Sequence, residues 1–122
     1  MAKAVGVGGV FLKARDPQAL SAWYATHLGI QADEGSLVFD GPESAGMTVF
    51  AHFALDTAYF GDGGQPFMVN FRVDDLDQLL VELATAGIRI DSRREEYSYG
   101  RFAWIWDLES NRVELWQPSR EG

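Results

Sequence analysis

The chain has 122 residues, 47% of them hydrophobic, no cysteine and a formal net charge of −8. That length suits one domain burying roughly two-thirds of its unfolded surface, and the missing thiols exclude disulfides, thiolate nucleophiles and thiolate metal sites. Acid excess in both halves repels phosphate backbones, and no apolar run approaches the roughly 20 residues that span a bilayer, so a cytoplasmic protein binding neither nucleic acid nor membrane is expected.

Residues 5–14 predict a first strand. Its stretch from Lys3 to Leu12 faintly imitates a signal peptide, but it contains Gly6, Gly8 and Gly9 and is needed as a strand. Those glycines lack the downstream helix and the Lys-Ser/Thr of a phosphate loop. Asp16 then supplies a helix cap and Pro17 a first helical residue, with Leu20, Trp23, Tyr24 and Leu28 recurring on one face until Gly29. His27, near that helix end, suits contact with the last carbonyls or water.

Strands over 36–40 and 47–53 follow, separated by the turn signal Gly41-Pro42-Glu43-Ser44. The Gly61–Pro66 stretch is expected to join two halves. After it the pattern returns: a strand over 67–73, Asp74-Asp75, a helix striped by Leu76, Leu79, Leu80 and Leu83, and a stop at Gly87. Gly29 and Gly87 are offset by the same number of residues as Asp16 and Asp74, although the double Asp leaves the register uncertain by one. Strands over 101–107 and 112–117 flank the turn Asp107–Asn111, and short strands are possible after each glycine stop. The duplication predicts an α+β fold of two tandem modules, about 1–60 and 65–122, in a single domain, whose curved mixed sheets enclose a cavity.

Strand parity sorts the second half. Val69, Phe71 and Val73, with Val113 and Leu115, make an aliphatic face for the helix; Met68, Asn70, Arg72, Arg112, Glu114 and Trp116 make a mixed one. Ionic side chains in mid-strand are costly to bury unless paired or hydrated, which a partly wet cavity would satisfy. Glu114 then has three readings: a carboxylate paired with Arg72 or Arg112, a general acid or base whose pKa an apolar cavity raises, or a metal ligand. Arg72 could instead fork onto a ligand carboxylate or phosphate. Tyr97 and Tyr99, in the polar segment Arg93–Arg101, are expected on a lip over the cavity, whereas Trp104, Trp106 and Trp116 read mostly as core, with Trp116 also a candidate contact.

Gly8–Pro17 with Trp23-Tyr24 and Leu28-Gly29, then Phe71–Asp77, then Asn111–Trp116 resemble the vicinal oxygen chelate superfamily of glyoxalases, bleomycin-resistance proteins and extradiol dioxygenases. The resemblance covers nearly the whole chain and implies paired βαβββ modules around a ligand cavity, commonly in homodimers. It also implies metal ligands at a His seven residues before each helix-opening Asp and at a Glu on the last strand. By position these fall on Gly9, Met68 and Glu114. With two of the three lost, the expectation is a metal-independent protein without a cofactor, binding a small organic ligand between its modules through Phe11, His52, Met68, Asn70, Arg72, Tyr97, Tyr99 and Trp116, with Glu114 as the candidate catalytic group. Two alternatives stand: a lyase or isomerase holding a divalent ion through His52, in the fourth-strand region, and Glu114; or a non-enzymatic dimeric interaction module.

Overall fold

The computed structural model describes residues 2–33, 35–40, 46–62 and 64–119. Its contacts divide the chain into two compact units, Gly8–Val69 and Asn70–Gly122 with Met1–Val7; they are called here the N-terminal and C-terminal units. The division cuts the opening strands of both sequence repeats.

The elements run β1 (Ala4–Ala14), α1 (Pro17–Leu28), β2 (Gln31–Asp33), β3 (Ser36–Phe39), β4 (Thr48–Ala54), β5 (Phe67–Val73), α2 (Leu76–Thr85), β6 (Ile90–Tyr97), β7 (Gly100–Trp106) and β8 (Arg112–Pro118). Two βαβββ repeats result, an α+β fold. In the N-terminal unit β1 pairs parallel with β4, and β3 then β2 continue antiparallel. In the C-terminal unit β5 pairs parallel with β8, and β7 then β6 continue antiparallel. Each sheet is mixed, with one order in both repeats. The turn signal at 41–44 lies outside the described residues.

Both helices start and stop where the sequence predicts. The Asp16 carboxylate accepts from the Ala19 amide at 3.0 Å, Pro17 takes the first turn, and Gly29 at φ 68° closes the end with its N–H on the Ala25 carbonyl. In the second repeat the cap is Asp75, which accepts from the Gln78 amide at 3.1 Å. Asp74 is bonded instead to Lys3, its Oδ1 accepting the Lys3 amide at 2.8 Å. This resolves the register of the double Asp: one carboxylate caps the helix and the other fastens the N-terminal segment.

The C-terminal unit has an aliphatic core. Val73, Leu76, Ala103 and Leu115 are buried together, and Phe71, Leu79, Leu80, Leu83, Ile105 and Val113 pack on them. Full burial of an aliphatic side chain such as Leu76 contributes about 1.5–3 kcal/mol. Parity thus sends one face of β5 and β8 to the helix, as expected, and Ala103 and Ile105 of β7 join them. In the segment 88–101, where a short strand and a lip were expected, an eight-residue strand β6 and a tight turn into β7 form instead. Four consecutive charges, Arg93 to Glu96, sit on a strand whose side chains are mostly exposed or half-exposed and whose pairing with β7 shifts between Ile90 and Arg94, so polarity alone did not mark it as a loop.

Candidate functional site

The C-terminal unit carries its polar groups on the sheet face that turns away from α2. The hairpin between β7 and β8 is closed by the Asp107 amide on the Asn111 carbonyl at 3.0 Å. That closure fixes the register, setting Trp104 opposite Glu114 and Phe102 opposite Trp116. On the other side of β8, the parallel pairing sets Asn70 beside Glu114 and Arg72 beside Trp116. Three neighbouring strands therefore bring Asn70, Glu114 and Trp104 into one row.

Glu114 is 1% exposed and Asn70 2%. The Asn70 amide donates to Glu114 Oε2 at 2.6 Å and the Trp104 indole donates to Oε1 at 3.0 Å, so each carboxylate oxygen holds a neutral donor. The Oδ1 of Asn70 is buried with no hydrogen-bond partner among the described residues. A stranded buried acceptor of this kind costs about 1–3 kcal/mol.

Around this row lie cations and rings. Arg112 donates to Asp91 at 2.6 Å and its guanidinium stands 5.3 Å from the Trp104 ring and 5.4 Å from that of Trp106. The Arg89 guanidinium lies 3.6 Å from the Trp106 centroid. The Asp91 carboxyl is held below its ordinary value, first by the Arg93 amide and then by the Arg112 guanidinium. Arg72 donates to the Val7 carbonyl at 2.8 Å and packs against Gly6, so its fork is engaged with backbone rather than presented bare. The described hydrogen bonds of Glu114 come from the amide and the indole.

Tyr97 and Tyr99 stack at 5.2 Å, both edge-on to Phe102, which stacks on Trp116 at 5.9 Å. The two tyrosines are exposed, and Trp116 is buried with its indole N–H on the Tyr99 carbonyl at 3.2 Å. A hydrogen bond to Glu95 raises the Tyr97 phenol above its usual value, which keeps it a neutral donor. They form an aromatic edge on the β6–β7 hairpin.

The remaining candidates belong to the N-terminal unit. Phe11 is buried against Phe53 at 5.6 Å, and Phe53 in turn meets Tyr59 and Phe60. Met68 is fully buried. His52 stands apart from Phe11, because β1 pairs Leu12 with His52 and Phe11 with Ala51. Side chains alternate along a strand, so His52 and Phe11 point to opposite faces. His52 faces α1, where its Nδ1 is 2.8 Å from the Ser21 hydroxyl and its ring stacks on Tyr24. The register thus separates two candidate ligand contacts onto opposite faces of the sheet. Ser21 escaped the sequence reading altogether, since a serine in a helix carries no mark of its partner.

A divalent ion finds poor ligands here. Among the described residues no three His, Asp or Glu side chains converge on one point. At Gly9 a Cβ would lie 2.8 Å from the Phe11 ring and 2.9 Å from the Val49 carbonyl, so a side chain there is crowded out where the resemblance implies an imidazole. Met68 offers a fully buried thioether, a soft donor where a hard divalent ion prefers nitrogen or oxygen. Gly9 and Met68 thus do not supply the imidazoles that the sequence resemblance implies.

No helix among the described residues is long and apolar enough to cross a membrane. No family profile matches the sequence, and no curated protein matches it. Solved structures do match in fold. Methylmalonyl-CoA epimerase from Mycobacterium tuberculosis is 20% identical, with 97% of this chain and 91% of that one covered and a TM-score of 0.70. A methylmalonyl-CoA epimerase in complex with methylmalonyl-CoA and NH4+ is 15% identical, with 97% of both chains covered and a TM-score of 0.73. A Legionella pneumophila protein named as an NAD-dependent benzaldehyde dehydrogenase is 13% identical, with 91% of this chain and 98% of that one covered and a TM-score of 0.60. Likeness at this level is likeness of fold, and one fold carries many chemistries.

Proposed function

We propose, on the premise that this chain has the fold of the vicinal oxygen chelate superfamily, that it binds a small organic molecule without a divalent ion, on the polar and indole-rich sheet face of its C-terminal unit. The observation that carries this reading is the buried row Asn70–Glu114–Trp104 with the unpartnered Asn70 Oδ1. A hydroxyl, amide or ammonium on the ligand would complete that acceptor, and the flat rings of Trp104, Phe102 and Trp116 suit an unsaturated or acyl group. Because Asn70 and Glu114 are sealed, entry requires side chains to move, and association should be slower than ordinary docking.

The similar epimerase bound to methylmalonyl-CoA makes acyl-CoA esters the first ligands to try. The protein is titrated calorimetrically in chelator with methylmalonyl-CoA, free coenzyme A and methylmalonate. Binding in chelator, weakened about tenfold or more by Asn70→Ala or Glu114→Gln, supports the reading. Binding that appears only with an added divalent ion, or that ignores both substitutions, overturns it.

The carboxylate of Glu114, set between an amide and an indole, favours a second reading in which it takes a proton from the carbon beside a ligand carbonyl. Solvent deuterium would then enter that carbon of methylmalonyl-CoA in chelator. Loss of this exchange in Glu114→Gln, with ligand still bound, separates catalysis from capture; exchange unchanged by the substitution refutes it.

A further inference from the structure

We propose a second ligand site, in the N-terminal unit beneath α1, that takes an uncharged small molecule hydrogen-bonded to the Ser21–His52 pair. A cavity of about 370 Å³ lies between α1 and the β2–β3 hairpin, and both residues line it. That volume falls in the range of small-molecule pockets, roughly 300–1,000 Å³. Its wall is apolar at Ala22, Ala25 and Leu37 and polar at Ser21, Ser36 and His52.

The wall selects by charge. Among the described residues no Asp, Glu, Lys or Arg lines the cavity, so an ionic ligand would lose hydration there without gaining a counter-charge from them. Burial also lowers the His52 pKa, which keeps the imidazole neutral near pH 7. One ring nitrogen, Nδ1, meets the Ser21 hydroxyl at 2.8 Å; the other, Nε2, is buried without a partner among the described residues. A neutral imidazole has one donor and one acceptor, and a hydroxyl can both give and take. With Nε2 sealed, the Ser21 hydroxyl on the cavity wall keeps the unused capacity for a ligand hydroxyl or amide.

The ring is also fixed in place. Tyr24 stacks on it at 5.6 Å with 16° between the planes, and Phe50 meets it edge-on at 4.7 Å. Such a preformed site loses little rotamer freedom when occupied. It is a binding site and not a hydrolytic one: nothing among the described residues orients the imidazole from its Nε2 side, as a triad would require.

The test uses the full chain, isotope-labelled, with phenol, 2-naphthol and benzamide as probes and benzoate as the charged counterpart. Saturable resonance shifts are expected at Ser21, Ser36 and His52, with dissociation constants on the order of 1 mM and benzoate about tenfold weaker. Ala25→Leu, which fills the cavity, should abolish the shifts while the Trp104 indole resonance stays in place; Ser36→Leu is the second filling variant if the first fails to fold. No saturable shift from any uncharged probe overturns the site, as do shifts centred elsewhere or equal binding by a folded filled variant. Because the readout lies in residues 17–37 and at His52, failure here is distinct from failure at Asn70 and Glu114.

Discussion

The two repeats share a backbone plan and reverse its chemistry. In the C-terminal unit α2 covers an aliphatic core and buries Leu76 to 1%, while the polar groups occupy the opposite sheet face. In the N-terminal unit α1 buries no residue, leaving Trp23 51% and Leu28 62% exposed, and it covers the polar Ser21–His52 pair. The opposite face of β1 and β4 there is aromatic, with Phe11 on Phe53. Duplication thus fixes strand order and helix position; which side of each sheet is dry is set repeat by repeat, by the residue at each parity.

The sharpest break in that comparison comes from the indole that holds Glu114. Trp104→Ala should cost about 3–5 kcal/mol in urea unfolding, because it removes a fully buried ring and the indole donor to Glu114 Oε1. A smaller cost would mean that the polar row is not part of the packed structure. Next, Leu76→Ala should cost about 2–5 kcal/mol, and Trp23→Ala, on the exposed face of α1, less than about 1 kcal/mol. Equal losses would erase the difference between the helices.

Glu114→Leu should lose about 1–3 kcal/mol for each donor it strands, at Asn70 and Trp104. A neutral or stabilising result would show that the carboxylate is kept for function alone. Gly9→Ala should cost about 1–3 kcal/mol through its contact with Phe11 and the Val49 carbonyl, and Gly9→His should gain no divalent-ion affinity by calorimetry.

The smallest effect concerns pH. Burial lowers His52 in the folded chain below its ordinary value of 6.5. As pH falls, the unfolded chain takes up this proton first, so stability should decline below about 6.5 and level off once folded His52 is protonated too. Urea midpoints across this range should lose that slope in His52→Phe. An identical slope in the variant would assign the dependence to other groups.

Much of this was legible in residues. Asp16-Pro17 with Gly29 predicted α1 from cap to stop, and alternation in 67–73 and 112–117 predicted which side chains meet α2. The row Asn70–Glu114–Trp104 was half legible. Glu114 and Asn70 followed from parity, and the turn Asp107–Asn111 could have set Trp104 opposite Glu114, but tryptophans in a small β protein read first as core. The face of His52 was not legible, because nothing in Met47–Phe53 fixes its register against β1. The segment 93–101 misled through its charges, since a strand can carry charge as easily as a loop when solvent takes the side chains.

What the sequence determined by itself is local: periodicity, caps and glycine stops depend on neighbours within a few residues, so the two βαβββ repeats could be read from the order of amino acids. What tertiary structure decided is pairing. Ser21 with His52, Trp104 with Glu114 and Arg112 with Asp91 each join separate elements. Their partners are chosen by strand register and helix docking, which the whole packed unit sets at once and no short stretch of chain encodes.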